Sequence, residues 1–143
     1  VSIFSQADAL TILTHAPPAV VNPFAELLIP HLGDITVVVN RTGLVMLPYT
    51  DSAGGATFHL GEILVSEAHV QIGDSARTQG YAMVMGRDLV FALACALIDA
   101  ARTAGIQSED IDLFLTEQAA LQRDADAALL AQVENTRVEM ETF

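Results

Sequence analysis

The stretch Gly80-Tyr-Ala-Met-Val-Met-Gly-Arg-Asp-Leu-Val-Phe-Ala-Leu-Ala-Cys-Ala-Leu-Ile-Asp99 decides how this chain is read. A short apolar strand runs into Gly86, the chain turns, and Asp88 is placed to open a helix. From Leu89 to Ile98 that helix carries no polar residue. A helix apolar on every side must be buried on every side. In a chain of 143 residues that is a heavy demand, and it points to one part of something larger.

Upstream of this stretch the chain reads as β. Ile35 to Val39 is a β-branched run, Asn40-Arg-Thr-Gly43 reads as a turn, and Leu44 to Tyr49 reads as a second strand, together a hairpin. Asp51-Ser-Ala-Gly-Gly55 is a loop. Phe58 to Ile72 carries a long strand pattern. In it Leu64, Ser66, Ala68, Val70 and Ile72 share one face, while Glu67, His69 and Gln71 share the other. Gly73-Asp74 turns the chain, and Thr78 to Met85 returns. Ahead of the strands, Ser5 to His15 fits a short helix stopped by Pro17-Pro18. Pro23 to His31 fits a second, with Pro23 at its first position and Gly33 past its end.

Downstream, Gly105 is the expected stop of the apolar helix. Ser108 is placed to cap a further helix, and Glu109 and Asp110 suit its positive end. Ile111, Phe114, Leu115, Leu121, Ala125, Ala128 and Leu129 form its stripe, and Thr136 to Phe143 alternate like a short strand. The expected fold is therefore α+β and a single domain over residues 1–143. It has an antiparallel four-stranded meander sheet, two short N-terminal helices, a buried helix after the sheet and a long C-terminal helix.

Composition narrows the function. Apolar residues make up 52% of the chain and charged ones 17%, yet no apolar run reaches the roughly 20 residues of a membrane span. Apolar surface left over for a partner is the expectation, with self-association when the chain is isolated. Six arginines and no lysine stand against 18 acidic residues, a net charge of −12. Nucleic acid and anionic membranes are poor partners for such a surface. The start, Val1-Ser-Ile-Phe, has no basic region or long apolar core, so no signal peptide is expected and cytoplasm is the default.

No motif commits the chain to catalysis. His15, His31, His59 and His69 lack metal-ligand spacing and there is no cysteine pair, so no metal is expected. Cys95, the single cysteine, lies in an apolar run where its thiol should be inert. Gly54-Gly55 lacks the lysine of a phosphate loop, and no cofactor motif appears. Gly86-Arg87-Asp88 sets an arginine beside a helix N-terminus, an arrangement that holds anions. Against that, the Asp88 carboxylate would itself cap the helix and repel phosphate. Met46, Met83 and Met85 fit a core lining or a pliable partner surface.

Five ordered segments resemble the PhnG family of the bacterial carbon–phosphorus lyase machinery. They are Thr42-Gly-Leu-Val-Met46, Gly54-Gly-Ala-Thr-Phe-His-Leu-Gly-Glu62, Gly80-Tyr-Ala-Met-Val-Met-Gly-Arg-Asp88, Ala96-Leu-Ile-Asp-Ala100 and Thr136-Arg-Val138. The resemblance implies a PhnG-like domain that assembles with PhnH-, PhnI- and PhnJ-like subunits into a core complex. With PhnL, the PhnG, PhnH and PhnI proteins are associated with joining a phosphonate to the ribose of ATP, releasing adenine. The product is an alkylphosphonate ribose 5-triphosphate, and a separate radical iron–sulfur subunit later breaks the C–P bond. One cysteine is too few for that cluster, so this chain is not that subunit. Two departures stand out. Where relatives carry Thr-Arg after the Gly-Glu strand opening and an arginine near the strand's end, this chain has Ser66-Glu67 and Gln71. The N-terminal helix also lacks a tryptophan that many relatives carry.

The resemblance thus implies a non-catalytic or co-catalytic subunit, inactive alone. Arg87, Glu62 and Asp88 are the candidate interface or phosphate contacts, with Glu62 as an ion-pair partner for Arg87; no catalytic residue is identified. The alternative is an independent homo-oligomeric small-molecule-binding domain or enzyme with its own pocket.

Overall fold

A computed structural model describes residues 2–73 and 78–141, the side chains of 138–141 excepted. In order it contains α1 (Gln6–His15), α2 (Pro18–Leu28), a 3-10 turn (Ile29–His31), β1 (Ile35–Thr50), β2 (Thr57–Ile72), β3 (Thr78–Met85), α3 (Leu89–Ala104) and α4 (Ser108–Glu141). The strands form an antiparallel meander in the order β1-β2-β3. Helix α3 packs on β2 and β3 with one side and against α2 and α1 with the other. That sandwich explains how so apolar a helix is accommodated. Phe91, Ala92 and every residue from Ala94 to Ala101 are buried. Burial is not complete around the helix, however: Leu89 and Val90 are exposed and Leu93 is only half-buried.

The small residues of α3 set how closely it approaches the sheet. A Cβ on Gly80 would collide with the Ala96 carbonyl oxygen and stand 2.6 Å from the Ala100 nitrogen. Glycine on the strand and alanine on the helix therefore let the two backbones touch. Asp99, 2% exposed, fastens the same seam. Its Oδ2 accepts the Tyr81 N–H at 3.0 Å, and both its oxygens accept from Gln6 Nε2 of α1. A buried carboxylate needs such donors, because an unpaired one is costly to desolvate.

The sheet has three strands among the described residues, not the four expected. Asn40 to Gly43 do not turn. Arg41 pairs with Glu67, Thr42 with Ser66 and Gly43 with Val65, so Ile35–Thr50 is one strand interrupted by a bulge near Val38. A two-residue hairpin turn needs positive φ, and Gly43 is not among the positive-φ glycines. The reversal falls instead at Asp51 to Ala56, where Gly55 has φ 68° and the Asp51 N–H donates to the Ala56 carbonyl at 2.8 Å. The 16-residue β2 is long enough to pair with the whole of β1, which removes any need for an earlier turn.

Three smaller expectations are also corrected. The second helix starts at Pro18, not Pro23, which lies inside it. Burial of Val21, Ala25 and Leu28 on one face outweighs the hydrogen bond that Pro23 cannot make. Ser108 begins α4 and does not cap it; the Gln107 carbonyl accepts the Ile111 N–H at 3.0 Å, which puts Gln107 at the cap. Residues 136–141 continue α4 and form no strand, while 142 and 143 lie outside the described residues. Two features agree with expectation: Asp88 caps α3 through the Phe91 N–H, and Gly105 closes α3 at φ 73°; in addition Ser5 caps α1.

Two arms leave this body. Every residue from Arg41 to Glu62 is exposed except Asp51, which is half-buried. In α4, Ile111, Phe114 and Leu115 are buried, but residues 123–137 are all exposed. The apolar stripe continues along α4 through Leu121, Leu129 and Val133, each more than half exposed.

Candidate functional site

The alternation of β2 gives the sheet two unlike faces. Ser66, Ala68, Val70 and Ile72 are buried toward the helices, while Glu67, His69 and Gln71 point to the open side. Among the described residues no helix covers that side beside Tyr81 and Met83 of β3, both of which are exposed. One polar cluster organises it. Glu67 Oε1 accepts from Arg41 Nε at 2.6 Å and Oε2 accepts from the Tyr81 hydroxyl at 2.6 Å. These donors come from the strands on either side of β2, so one carboxylate ties all three strands together. The Tyr81 hydroxyl and then the Arg41 guanidinium hold the Glu67 carboxyl below the usual carboxylate range. Reciprocally, the Glu67 carboxylate pushes the Tyr81 phenol up to about 12. A phenol so held is a hydrogen-bond donor, not a nucleophile. His69 Nε2 and Gln79 Oε1 share a further hydrogen bond of 2.8 Å on this face.

Around the cluster the open face is apolar. Val39, Val45 and Ile63 surround it, and Tyr49 and Phe58 pack with ring centroids 5.3 Å apart near the hairpin tip. Beyond Val65, which pairs with the last residue of β3, the sheet narrows to two strands. A two-stranded hairpin is marginal alone in water. This one carries Leu44, Val45, Met46, Leu47, Phe58 and Leu60 at 39% to 63% exposure, and covering it from solvent would be strongly favourable. Gly61 lies where the register shifts opposite Leu47, and its φ of 155° is open to glycine alone.

The three residues singled out in the sequence lie at the junction of this arm with the body. Arg87 sits in a rigid turn. The Gly86 N–H donates to the Leu64 carbonyl, the Ser66 hydroxyl donates to the Gly86 carbonyl at 2.8 Å, and the Asp88 N–H donates to the Ser66 Oγ at 2.9 Å. Buried Ser66 is thus a clamp on the turn that sequence reasoning assigned only to a strand face. The Asp88 carboxylate is engaged with the Phe91 N–H at 2.9 Å. Arg87 itself is exposed and forms no ion pair among the described residues. Glu62 is exposed two residues before Leu64 on β2 and is not paired with Arg87. The ion pair present on this face is Arg41–Glu67, which the sequence signalled only by placing Glu67 on the open face.

Other chemistry finds little support in the geometry. Among the described residues no three His, Cys, Asp or Glu side chains gather as a metal site. His59 and His69 lie on the same extended strand, roughly 33 Å apart at its rise per residue. The buried Cys95 thiol is pushed up to about 12 by desolvation and then by the Asp88 charge. A cleft of about 460 Å³ lies between α2 and α4, lined by Phe24, Leu28, Leu113 and Phe114, with Asp110 and Glu117 at its polar side. None of Arg87, Glu62 and Asp88 lines it.

The geometry is thus an α+β body with an uncovered sheet face and two exposed arms. A family model described as "Phosphonate metabolism protein PhnG" matches residues 5–143, and the chain belongs to that family. Its involvement is therefore in phosphonate metabolism. No curated protein matches the chain significantly. Among the described residues no helix is long and apolar enough to cross a membrane.

Proposed function

We propose that this chain is a subunit of the carbon–phosphorus lyase core complex, supporting formation of alkylphosphonate ribose 5-triphosphate from ATP and a phosphonate. PhnH-, PhnI- and PhnJ-like chains are its partners. The observation that carries the reading is the arm from Arg41 to Glu62, exposed on both faces yet rich in large apolar side chains. Together with the family membership, it favours a protein that is finished by its neighbours.

In this reading the chain contributes surfaces and positioning, and it is inactive alone. Arg87 presents a guanidinium from a turn clamped by Ser66 and Asp88, so little order is lost when it meets a partner carboxylate or a phosphate. Glu62, exposed on the same arm, is the candidate contact for a partner cation. Asp88 serves as the cap that fixes the turn. The test is reconstitution: the complex assembled with this chain should release adenine from ATP and methylphosphonate, and the chain alone should not. Adenine release by the chain alone would favour an independent enzyme with its own pocket.

A further inference from the structure

The two edges of the sheet are not equivalent. On β3 the outward Tyr81 N–H is taken by the Asp99 carboxylate of α3, so that edge is engaged at one donor from within the molecule. On β1 the outward groups can be identified from the ladder. The Leu64 carbonyl accepts from Gly86, so Leu64 directs its main-chain groups to the β3 side. Its partner Leu44 then turns its own N–H and C=O away from β2. By alternation the same holds for Asn40, Thr42 and Met46. Pro48 follows in the same phase, where its missing N–H takes nothing from the β1–β2 ladder. The bulge at Val38 and Pro48 therefore bracket an uninterrupted edge, residues 39–47. Exposed edges of this kind are templates for another strand.

We propose that residues 39–47 of β1 pair antiparallel with the same residues of a second copy about a two-fold axis at Gly43, joining two three-stranded sheets edge to edge. This register sets Asn40 against Met46 and Thr42 against Leu44, and it uses every outward N–H and C=O between the bulge and the proline. Centring the axis on Thr42 or Leu44 would bring the bulge or Pro48 into the ladder and lose bonds. Gly43 meets its own copy at a non-hydrogen-bonded position, where backbones come closest, at about 4.5 Å between Cα atoms. Glycine leaves that approach clear.

Symmetry favours a second copy of this chain as the occupant, because the bulge at Val38 and Pro48 each lie five residues from Gly43, so two copies present matching ends. Within residues 39–47 the sole charged residue is Arg41, already paired with Glu67. In the Gly43-centred register each Arg41 lies opposite Val45 of the second copy. The two guanidinium-bearing residues are then offset by roughly 13 Å along the strands, beyond the screening length of about 8 Å at physiological salt. In a molecule of net charge −12, this edge lets two copies meet without setting carboxylate against carboxylate. The proposal concerns the edge of the sheet, not its open face, and it does not depend on the phosphonate reading.

The test uses the full chain and three variants. Wild type should be a dimer by light scattering at micromolar concentration. Gly43→Cys should form an intermolecular disulfide under mild oxidation, since a Cβ there meets nothing within 4 Å and Cys95 is buried. An Ala53→Cys control at the hairpin tip should not cross-link above collision levels. Leu44→Pro, which removes an outward N–H only, should be monomeric while keeping the far-UV circular dichroism spectrum of wild type. A monomeric wild type overturns the proposal, and that is also the result if a strand of a different subunit takes this edge. A dimer in which Gly43→Cys fails to cross-link overturns it too. If Leu44→Pro does not fold, the cross-linking result decides.

Discussion

Gly80 of β3 lies directly under Ala96 of α3, with no room for even one methyl group between strand and helix. The atoms in the way are backbone, which cannot rotate aside. Gly80→Ala should therefore force α3 off the sheet and disturb the Asp99–Tyr81 hydrogen bond beside it. Overpacking of this kind costs about 3 kcal/mol, equivalent to a fall of about 10 °C in melting temperature. Thermal unfolding followed by circular dichroism measures it, and a shift of under about 2 °C would mean the seam is looser than described.

The burial of α3 makes unequal demands along its length. Ile98 is fully buried and Leu93 half-buried. Ile98→Ala should destabilise by about 2–5 kcal/mol, and Leu93→Ala by distinctly less. Chemical denaturation of the two variants gives the comparison. Equal losses would place Leu93 inside the core.

The Tyr81–Glu67 hydrogen bond has a signature in pH. In the unfolded chain the phenol loses its proton near pH 10, whereas in the folded chain it keeps it to about 12. Between those values the folded state binds more protons, so this contribution is fully present below about pH 10 and fades as the pH rises through about 12. For Glu67 the sign is reversed: its lowered pKa favours the folded state at neutral pH, and that contribution is lost on acidification. Phenolate absorbance in a Tyr49→Phe background follows Tyr81 alone. Glu67→Gln should bring its titration down toward pH 10, and an unchanged curve would show that Glu67 is not the cause.

Arg87→Ala should leave the melting temperature within about 2 °C of wild type, because the side chain is exposed and unpaired among the described residues. Assembly with the other core subunits, or adenine release by the complex, should fall by about tenfold or more if the guanidinium meets a carboxylate or phosphate there. Parallel loss of stability and assembly would make Arg87 structural, and no change in either would remove it as a contact.

Much of this architecture is legible in the chain itself. Asp88 and Gly105 bracket α3 because cap chemistry is local, and the period of two from Leu64 to Ile72 separates the two faces of β2. Asn40-Arg-Thr-Gly43 misleads because turn-forming residues also fit an edge strand when a long partner strand is waiting, and that partner lies more than twenty residues away. Ser66 and Asp99 show the same limit at the candidate site. Their roles depend on a turn 20 residues distant and on Gln6 of another helix, so no local pattern announces them. Arg87 and Asp88 were visible as a pair, but the clamp that stiffens their turn was not.

On the proposed function, partner subunits complete the surface of the hairpin arm, and hydrogen exchange on residues 49–62 measures this. This span excludes the edge at which a second copy would pair, so self-association cannot mimic the result. The amides should exchange fast in the isolated chain and become protected by about tenfold or more when the PhnH-, PhnI- and PhnJ-like subunits are added. The protection should be lost, along with assembly, in Phe58→Asp. Exchange that is the same in the isolated chain and in the assembled complex would contradict the claim, because the arm would then remain in solvent.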